Sequence, residues 1–309
     1  MSAARRQILE RLADGPVPGP TVATDLGISR AAVWKHIEAL RSDGFEIEST
    51  PDGYRIRAIP PFGQWSLEFG LQAPYSIEYH ERIESTNDRA RELAYAGERD
   101  IAIVANEQTK GRGRRDRKWI GSSGGIYVSI LVQPALEPQA MSLVTLAGAV
   151  ATADALAEFD ASVGIKWPND VLIEGEKVAG ILTEMEAEAD RTNWVIVGIG
   201  INANQPHETV PDGATTVQAM IGEPVERRTI VHTLLETFAN HLESPSGIRD
   251  AWLARAETIG SMVRVHMDEK PIVGTAVDIT ETGSLRVETA SGIHTVHSGD
   301  CIHLDTLAD

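Results

Sequence analysis

A single cysteine, Cys301, among 309 residues rules out an internal disulfide. It also removes the cysteine-rich zinc patterns. His294, His297 and His303 lie near it in a strand-like tail, but mixed parity splits them between two faces, so no metal site is read there. No run reaches the roughly 18 apolar residues of a membrane span. The N-terminal stretch MSAARRQILERLADG lacks a signal-peptide core. The expectation is a cytoplasmic chain with no membrane partner. Basic charge is scarce too: 28 Lys and Arg stand against 45 Asp and Glu, a formal net charge of −17. That balance argues against a general nucleic-acid binder, since phosphate backbones need a cationic surface. Only six of the basic residues are lysines, a composition that suits a salt-rich cytosol, although arginine-favouring codons would have the same effect. What the chain does have is 42% hydrophobic content, enough for two or three globular domains.

The acidity is unevenly spread. Residues 1–58 hold eight basic and eight acidic side chains, and residues 59–309 carry the whole −17. Within 1–58, Ile8, Leu9 and Leu12 have helical spacing up to Asp14-Gly15-Pro16, and a short helix fits Thr21 to Leu26. Gly27-Ile28 makes a turn, and Ser29 is a good N-cap for a third helix. That helix buries Val33, Ile37 and Leu40 and turns Arg30, Trp34, Lys35 and Arg41 outward. FEIES and YRIRA then alternate as two strands around a Pro-Asp-Gly turn. The order is that of a winged helix-turn-helix. A helical interaction module with a solvated face shares this pattern; the local escape from acidity favours DNA, with Ser29, Arg30, Trp34 and Lys35 as the DNA-binding residues.

Ala58-Ile59-Pro60-Pro61 begins a stiff linker, taken as 59–74. From Tyr75 to about 258, strands and helices alternate as a mixed α/β domain, including a long helix at 141–159 and a helical stretch at 228–256. Residues 261–309 read as short strands with glycine turns, a small β-barrel. The fold class expected is α+β and multidomain.

Three segments carry chemistry. Residues 107–119, EQTKGRGRRDRKW, hold four arginines and two lysines within an acidic domain; glycine lets backbone approach a ligand, and the cations can clamp phosphate or carboxylate. This is neither a Walker loop nor a dinucleotide fingerprint, and a solvated charged loop has the same composition. In GIKWPND, Lys166 ends a β-like run, a place where lysine is more often structural than catalytic. Ser85-Thr86-Asn87 opens a helix, Ser85 and Asp88 forming a capping box; its hydroxyls and amide equally suit a neutral polar ligand.

Taken in order, EQTKGRGRRDRKW, KWPND (166–170), KVAGILTE (177–184) and GIGIN (198–202) resemble the biotin–protein ligases. SRAAVWKHI (29–37) is similar to the subgroup that doubles as a biotin operon repressor, and residues 274–300 are similar to the family's SH3-like C-terminal barrel. The resemblance implies activation of biotin by ATP and Mg2+ to biotinyl-5′-AMP, then transfer to a lysine of a biotin carboxyl carrier protein. It implies biotin binding by Ser85, Thr86, Asn87, Gln108, Gly111, Arg112, Gly113, Arg114 and Lys166. Nucleotide binding falls to Arg114, Arg115, Arg117, Lys166 and Asn202, and catalysis to Lys166, Arg112 and Arg114, with metal ligands unassigned. Operator DNA and an adenylate-bound homodimer are the further partners implied. Two departures stand out: Asp116 occupies a position often held by glycine, and Gly213-Ala214-Thr215-Thr216 replaces a tryptophan that some members stack on adenine. The alternatives are lipoate–protein ligase, a biotin-sensing repressor without catalysis, and a ligase whose first domain no longer binds DNA.

Overall fold

The computed structural model describes residues 3–137, 140–187, 192–267 and 270–304, with Ala3 and Asp116 as backbone alone. The chain divides into two compact units at Gln72/Ala73.

In the first unit, α1 (Ala3–Ala13), α2 (Gly19–Leu26) and α3 (Arg30–Ser42) precede a hairpin of β1 (Glu46–Thr50) and β2 (Gly53–Ala58). One apolar stripe per helix closes the core, where Ile8, Leu12, Val22, Val33, Ile37 and Leu40 meet Phe45 and Ile47. Ser29 Oγ accepts the Ala32 N–H at 3.1 Å and so caps α3. Gly53 is needed at the hairpin turn: its φ is 127°, and a Cβ there would lie 2.1 Å from the Val17 carbonyl oxygen. The result is a winged helix-turn-helix in which Arg30, Trp34 and Lys35 stand exposed on α3. Arg41, expected outward with them, turns to the hairpin instead and donates to the Ile47 carbonyl through Nε at 2.9 Å and Nη2 at 2.5 Å.

The expected linker is also different. Within 59–74 a short helix, α4 (Gln64–Glu68), forms, and Trp65 and Phe69 pack on the core of the first unit, with the Phe69 ring edge-on to Phe45 at 6.2 Å. Two prolines do stop the hairpin. The apolar side chains that follow still have core to cover, so the unit runs to Gln72 rather than ending at residue 58.

The second unit is built on β3 (Ser76–His80), α5 (Thr86–Tyr95), β4 (Ile101–Ala105), β5 (Ile126–Val132), α6 (Ser142–Ala157), β6 (Val163–Lys166), β7 (Asp170–Ile173), β8 (Glu176–Ala187) and β9 (Thr192–Ile201). The strands form one sheet of order β3-β4-β5-β9-β8-β7-β6. Only β3 and β4 run parallel, which makes the domain α+β. The apolar helix α6 covers one face, where Gly148 lets it approach Val197 and Ile181. After α7 (Val217–Ile221), the expected helical stretch is two helices, α8 (Arg227–Glu243) and α9 (Ile248–Leu253), parted by a turn at Pro245–Gly247.

Strands β10 (Met262–His266), β11 (Ile272–Ile279), β12 (Leu285–Thr289), β13 (Gly292–Val296) and β14 (Asp300–His303) make a small antiparallel domain of order β13-β12-β11-β10-β14, with Val263, Val265, Ala276, Leu285 and Val287 inside. Three of its histidines have separate partners: Ser291 for His294, Ser284 for His297 and Thr258 for His303.

Candidate active site

The face of the sheet opposite α6 carries the cavity, and glycines make room for it. Gly180 of β8 pairs with Gly200 of β9, and Leu182 pairs with Gly198. A Cβ on Gly200 would meet the Trp119 indole at 2.5 Å, and one on Gly198 would meet Asn87 Oδ1 at 2.2 Å. Trp119 and Asn87 therefore lie flat on bare backbone, flanking a cavity of about 310 Å³.

One end of this cavity is neutral and rich in hydrogen-bonding groups. Ser85, Thr86 and Asn87 open α5 and are all buried. Ser85 Oγ accepts the Asp88 N–H at 3.3 Å, which leaves its hydroxyl proton free to donate. Gln108 Oε1 accepts from Thr86 N at 2.7 Å and from Thr86 Oγ1 at 3.0 Å. Buried Ser129 lies beneath, 2.7 Å from Thr86 Oγ1 and 2.6 Å from Asn87 Oδ1. Asn87 Nδ2 and Trp119 Nε1 are buried donors with no acceptor among the described residues. A buried donor without a partner costs about 1–3 kcal/mol, so two of them beside one cavity call for a ligand that accepts hydrogen bonds.

The rest of the lining is cationic. Arg112, Arg114, Arg117, Lys118 and Lys177 line the cavity against one carboxylate, Asp212. Lys177 Nζ is fixed by Asp170 Oδ1 at 2.6 Å and stands over the Trp119 ring, 5.6 Å from its centroid. Arg114 donates to Asn169 Oδ1 and to the Gly299 carbonyl, both at 3.0 Å. Burial pulls the Arg114 pKa down, while Asp300 and Asp170 push back. Arg117 reaches Asp300 at 2.9 Å. The last wall, Pro211 to Ala214, is held edge to edge with β8 by the Thr215 N–H, which donates to the Lys177 carbonyl at 2.8 Å.

Comparisons with known proteins agree with this chemistry. Family models match residues 4–55 as an HTH domain, residues 79–202 as the biotin/lipoate A/B protein ligase family, and residues 258–304 as a biotin protein ligase C terminal domain. The chain is 35% identical to the bifunctional ligase/repressor BirA of Bacillus subtilis, over 97% of this chain and 98% of the relative. The chain belongs to the biotin–protein ligase family. It is also 34% identical to the biotin–[acetyl-CoA-carboxylase] ligase of Mycobacterium tuberculosis, over 81% of this chain and 98% of that one. Among solved structures, the biotin protein ligase of Aquifex aeolicus in complex with biotin and ATP superposes with a TM-score of 0.62 at 29% identity, covering 73% of this chain and 97% of that one.

Of the residues that the biotin–protein ligase resemblance implied, Ser85, Thr86, Asn87, Gln108, Arg112, Gly113, Arg114, Arg117 and Asn202 line the cavity together. Three do not. Gly111 lies behind the lining, where a Cβ would meet the Trp119 carbonyl oxygen at 2.8 Å. Arg115 is exposed, with φ 54°, and donates to the His266 carbonyl at 3.3 Å. Lys166 is the third. It ends β6, the outermost strand, where it pairs with Asp170 of β7, and it is not among the residues that line the cavity. Its field falls instead on Glu257 and Cys301, at the junction with the C-terminal domain: burial raises the pKa of both, and Lys166 lowers it. Two lysines do line the cavity, Lys118 and Lys177, and Lys177, from the KVAGILTE segment, is the one fixed over the glycine floor by Asp170 and Trp119. Trp119, Lys118, Gly180, Gly198 and Gly200 also line the cavity, and they lie within motifs whose spacing alone assigns them no role. The side chain of Asp116 lies outside the described residues.

Proposed function

We propose that this chain joins biotin to ATP in the cavity, forming biotinyl-5′-AMP, and then transfers the biotinyl group to a lysine of a carrier protein in the cytoplasm. The observation that carries the reading is the cavity's polarity: a neutral hydrogen-bonding end at Ser85, Thr86, Asn87 and Gln108, and a cationic end at Arg112, Arg114, Arg117, Lys118 and Lys177. Unpartnered donors at the first end suit the oxygen of a urea. The second suits a carboxylate and phosphates, two anions that repel as they approach.

In the first step a biotin carboxylate oxygen attacks the α-phosphorus of ATP and pyrophosphate leaves. Lys177, held from behind by Asp170, is the fixed ammonium that offsets the repulsion. In the second, a carrier lysine amine attacks the acyl carbon, its C–N bond forms as the C–O bond to AMP breaks, and the amine proton is lost. Between the steps the mixed anhydride has to be shielded from water, a role for the arginine loop pinned through Arg114 and Arg117. Magnesium commonly keeps phosphate and water ligands with only one or two carboxylates. Asp212 on the wall, with Asp170 behind Lys177, fits so sparse a set, and the ion would neutralise phosphate charge.

Incubating the protein with biotin, ATP, Mg2+ and a carrier domain should add one biotinyl group to a single lysine. Lipoate in place of biotin should give no product, and a lipoylated carrier would move the assignment to lipoate ligation.

The first unit extends the proposal to biotin-responsive repression. Arg30, Trp34 and Lys35, exposed on a capped helix, are the residues we assign to the major groove. Ser29 contributes as the cap. For two-fold DNA the chain would pair as a homodimer once the adenylate is bound. Strand β8 has an edge for this: β7 accompanies it only to Gly180, Asn169 covers Ile181, and residues 182–187 have no strand on that side among the described residues.

A further inference from the structure

Four charged side chains close a ring beside the cavity. Asp88 Oδ1 accepts from Arg112 Nη2 at 2.5 Å and from Arg91 Nη1 at 2.7 Å. Arg91 also donates through Nη2 to Glu184 Oε2, and Glu184 Oε1 lies 3.7 Å from Arg112 Nη2. The ring joins three walls: α5 supplies Asp88 and Arg91, the arginine loop Arg112, and β8 Glu184. Its two cations balance its two carboxylates. Only Arg112 lines the cavity.

This arrangement decides what it takes for Arg112 to meet an anion in the cavity. Turning away from Asp88 would leave a partly buried carboxylate uncompensated if Arg112 were its sole partner, and such a loss opposes the turn. It is not the sole partner. Burial works to raise the Asp88 pKa, but hydrogen bonds from both Arg112 and Arg91 outweigh it and hold the carboxyl ionised. Arg91 is bonded to the same Asp88 oxygen and to Glu184, so both carboxylates keep a cation whichever way Arg112 points.

We propose that Arg91 is a positioning residue: it is the standing counter-ion that lets Arg112 exchange Asp88 and Glu184 for the acidic group of the bound substrate or adenylate. The inference rests on the reading of Arg112 as an anion contact of the ligase reaction. With Arg91 neutralised, two carboxylates share Arg112 and hold it away from the ligand. With Asp88 neutralised as well, one carboxylate faces one arginine and the exchange becomes easy again.

The test measures kcat and the KM for biotin in adenylate formation, together with thermal stability, in the full chain and in Arg91→Gln, Arg91→Gln/Asp88→Asn and Arg112→Ala. Arg91→Gln should raise the KM for biotin about threefold to fivefold, the range of a partly exposed ion pair, with kcat nearly unchanged. Adding Asp88→Asn should restore most of that loss even if stability falls further. If Arg112→Ala raises the KM while Arg91→Gln does not, or if Asp88→Asn fails to rescue, Arg91 only braces the fold and the proposal is overturned. If Arg112→Ala itself leaves the KM unchanged, the reading of Arg112 falls, and the exchange falls with it.

Discussion

Lys177 Nζ sits 2.6 Å from Asp170 Oδ1 and over the face of Trp119, so this cavity lysine is fixed in place from two sides. An ammonium anchored in this way needs no reorganisation when negative charge develops beside it, which is how preorganised charge lowers a barrier. Lys177→Ala should slow biotinyl-AMP formation by about 10²-fold or more, roughly 3 kcal/mol. Lys166→Ala should keep nearly full activity and show its effect, if any, as a lower melting temperature, because its neighbours are Glu257 and Cys301. Single-turnover adenylation by both variants decides between the two lysines.

Retention of the intermediate gives a second test. Arg114 ties the arginine loop to Asn169 and Gly299, and Gly111 has no room for a side chain against Trp119. Arg114→Ala or Gly111→Val should therefore release biotinyl-AMP to solvent and raise biotinylation of bystander lysines. Unchanged release together with a collapse of biotin binding would reduce the loop to a binding element.

The floor glycines give a third. Gly198→Ala puts a methyl 2.2 Å from Asn87 Oδ1 and must displace that side chain. We expect the KM for biotin to rise by about tenfold or more, the loss of one good hydrogen bond from a buried group, while the fold persists. Gly148→Ala, on the α6 side of the sheet, meets Val197 at 3.1 Å and should leave the KM unchanged. Titration of biotin against the two variants separates cavity from core.

For DNA, Lys35→Ala and Trp34→Ala should weaken binding to the promoters of biotin-synthesis or biotin-uptake genes, and removal of residues 1–72 should abolish it. Binding should tighten when biotin and ATP are present, and should weaken as salt rises. An anisotropy titration with and without the two substrates reads all of this; sequence-independent binding, or none, would leave the first unit as an interaction module.

Much of this was legible in the sequence. Helical spacing and the Ser29 cap predict α1 to α3, and the Pro-Asp-Gly turn predicts the β1–β2 hairpin, because short-range rules decide them. Ser85 to Asn87, Gln108 and the arginine segment were identified because charge and amides are conspicuous in an acidic chain. The choice of lysine was not legible. Strict alternation from Gly180 would put Lys177 on the opposite face of β8, but Leu172 pairs with Lys177 and Val171 with Ala179, so Val178 is bulged and Lys177 returns to the cavity side. Lys166 has the more conspicuous motif, yet its distance from the cavity depends on strand order, a long-range property. The helix at 64–68 was hidden for a similar reason: two prolines announced a linker, and only the core of the first unit shows where Trp65 and Phe69 belong.

Whether this cavity activates a carboxylate with ATP is decided by exchange of labelled pyrophosphate into ATP on the purified chain. Exchange should require biotin, be lost in Lys177→Ala, persist in Lys166→Ala and not occur with lipoate. Exchange that is absent with biotin would rule out adenylation in this cavity, and exchange that survives Lys177→Ala undiminished would remove Lys177 from it.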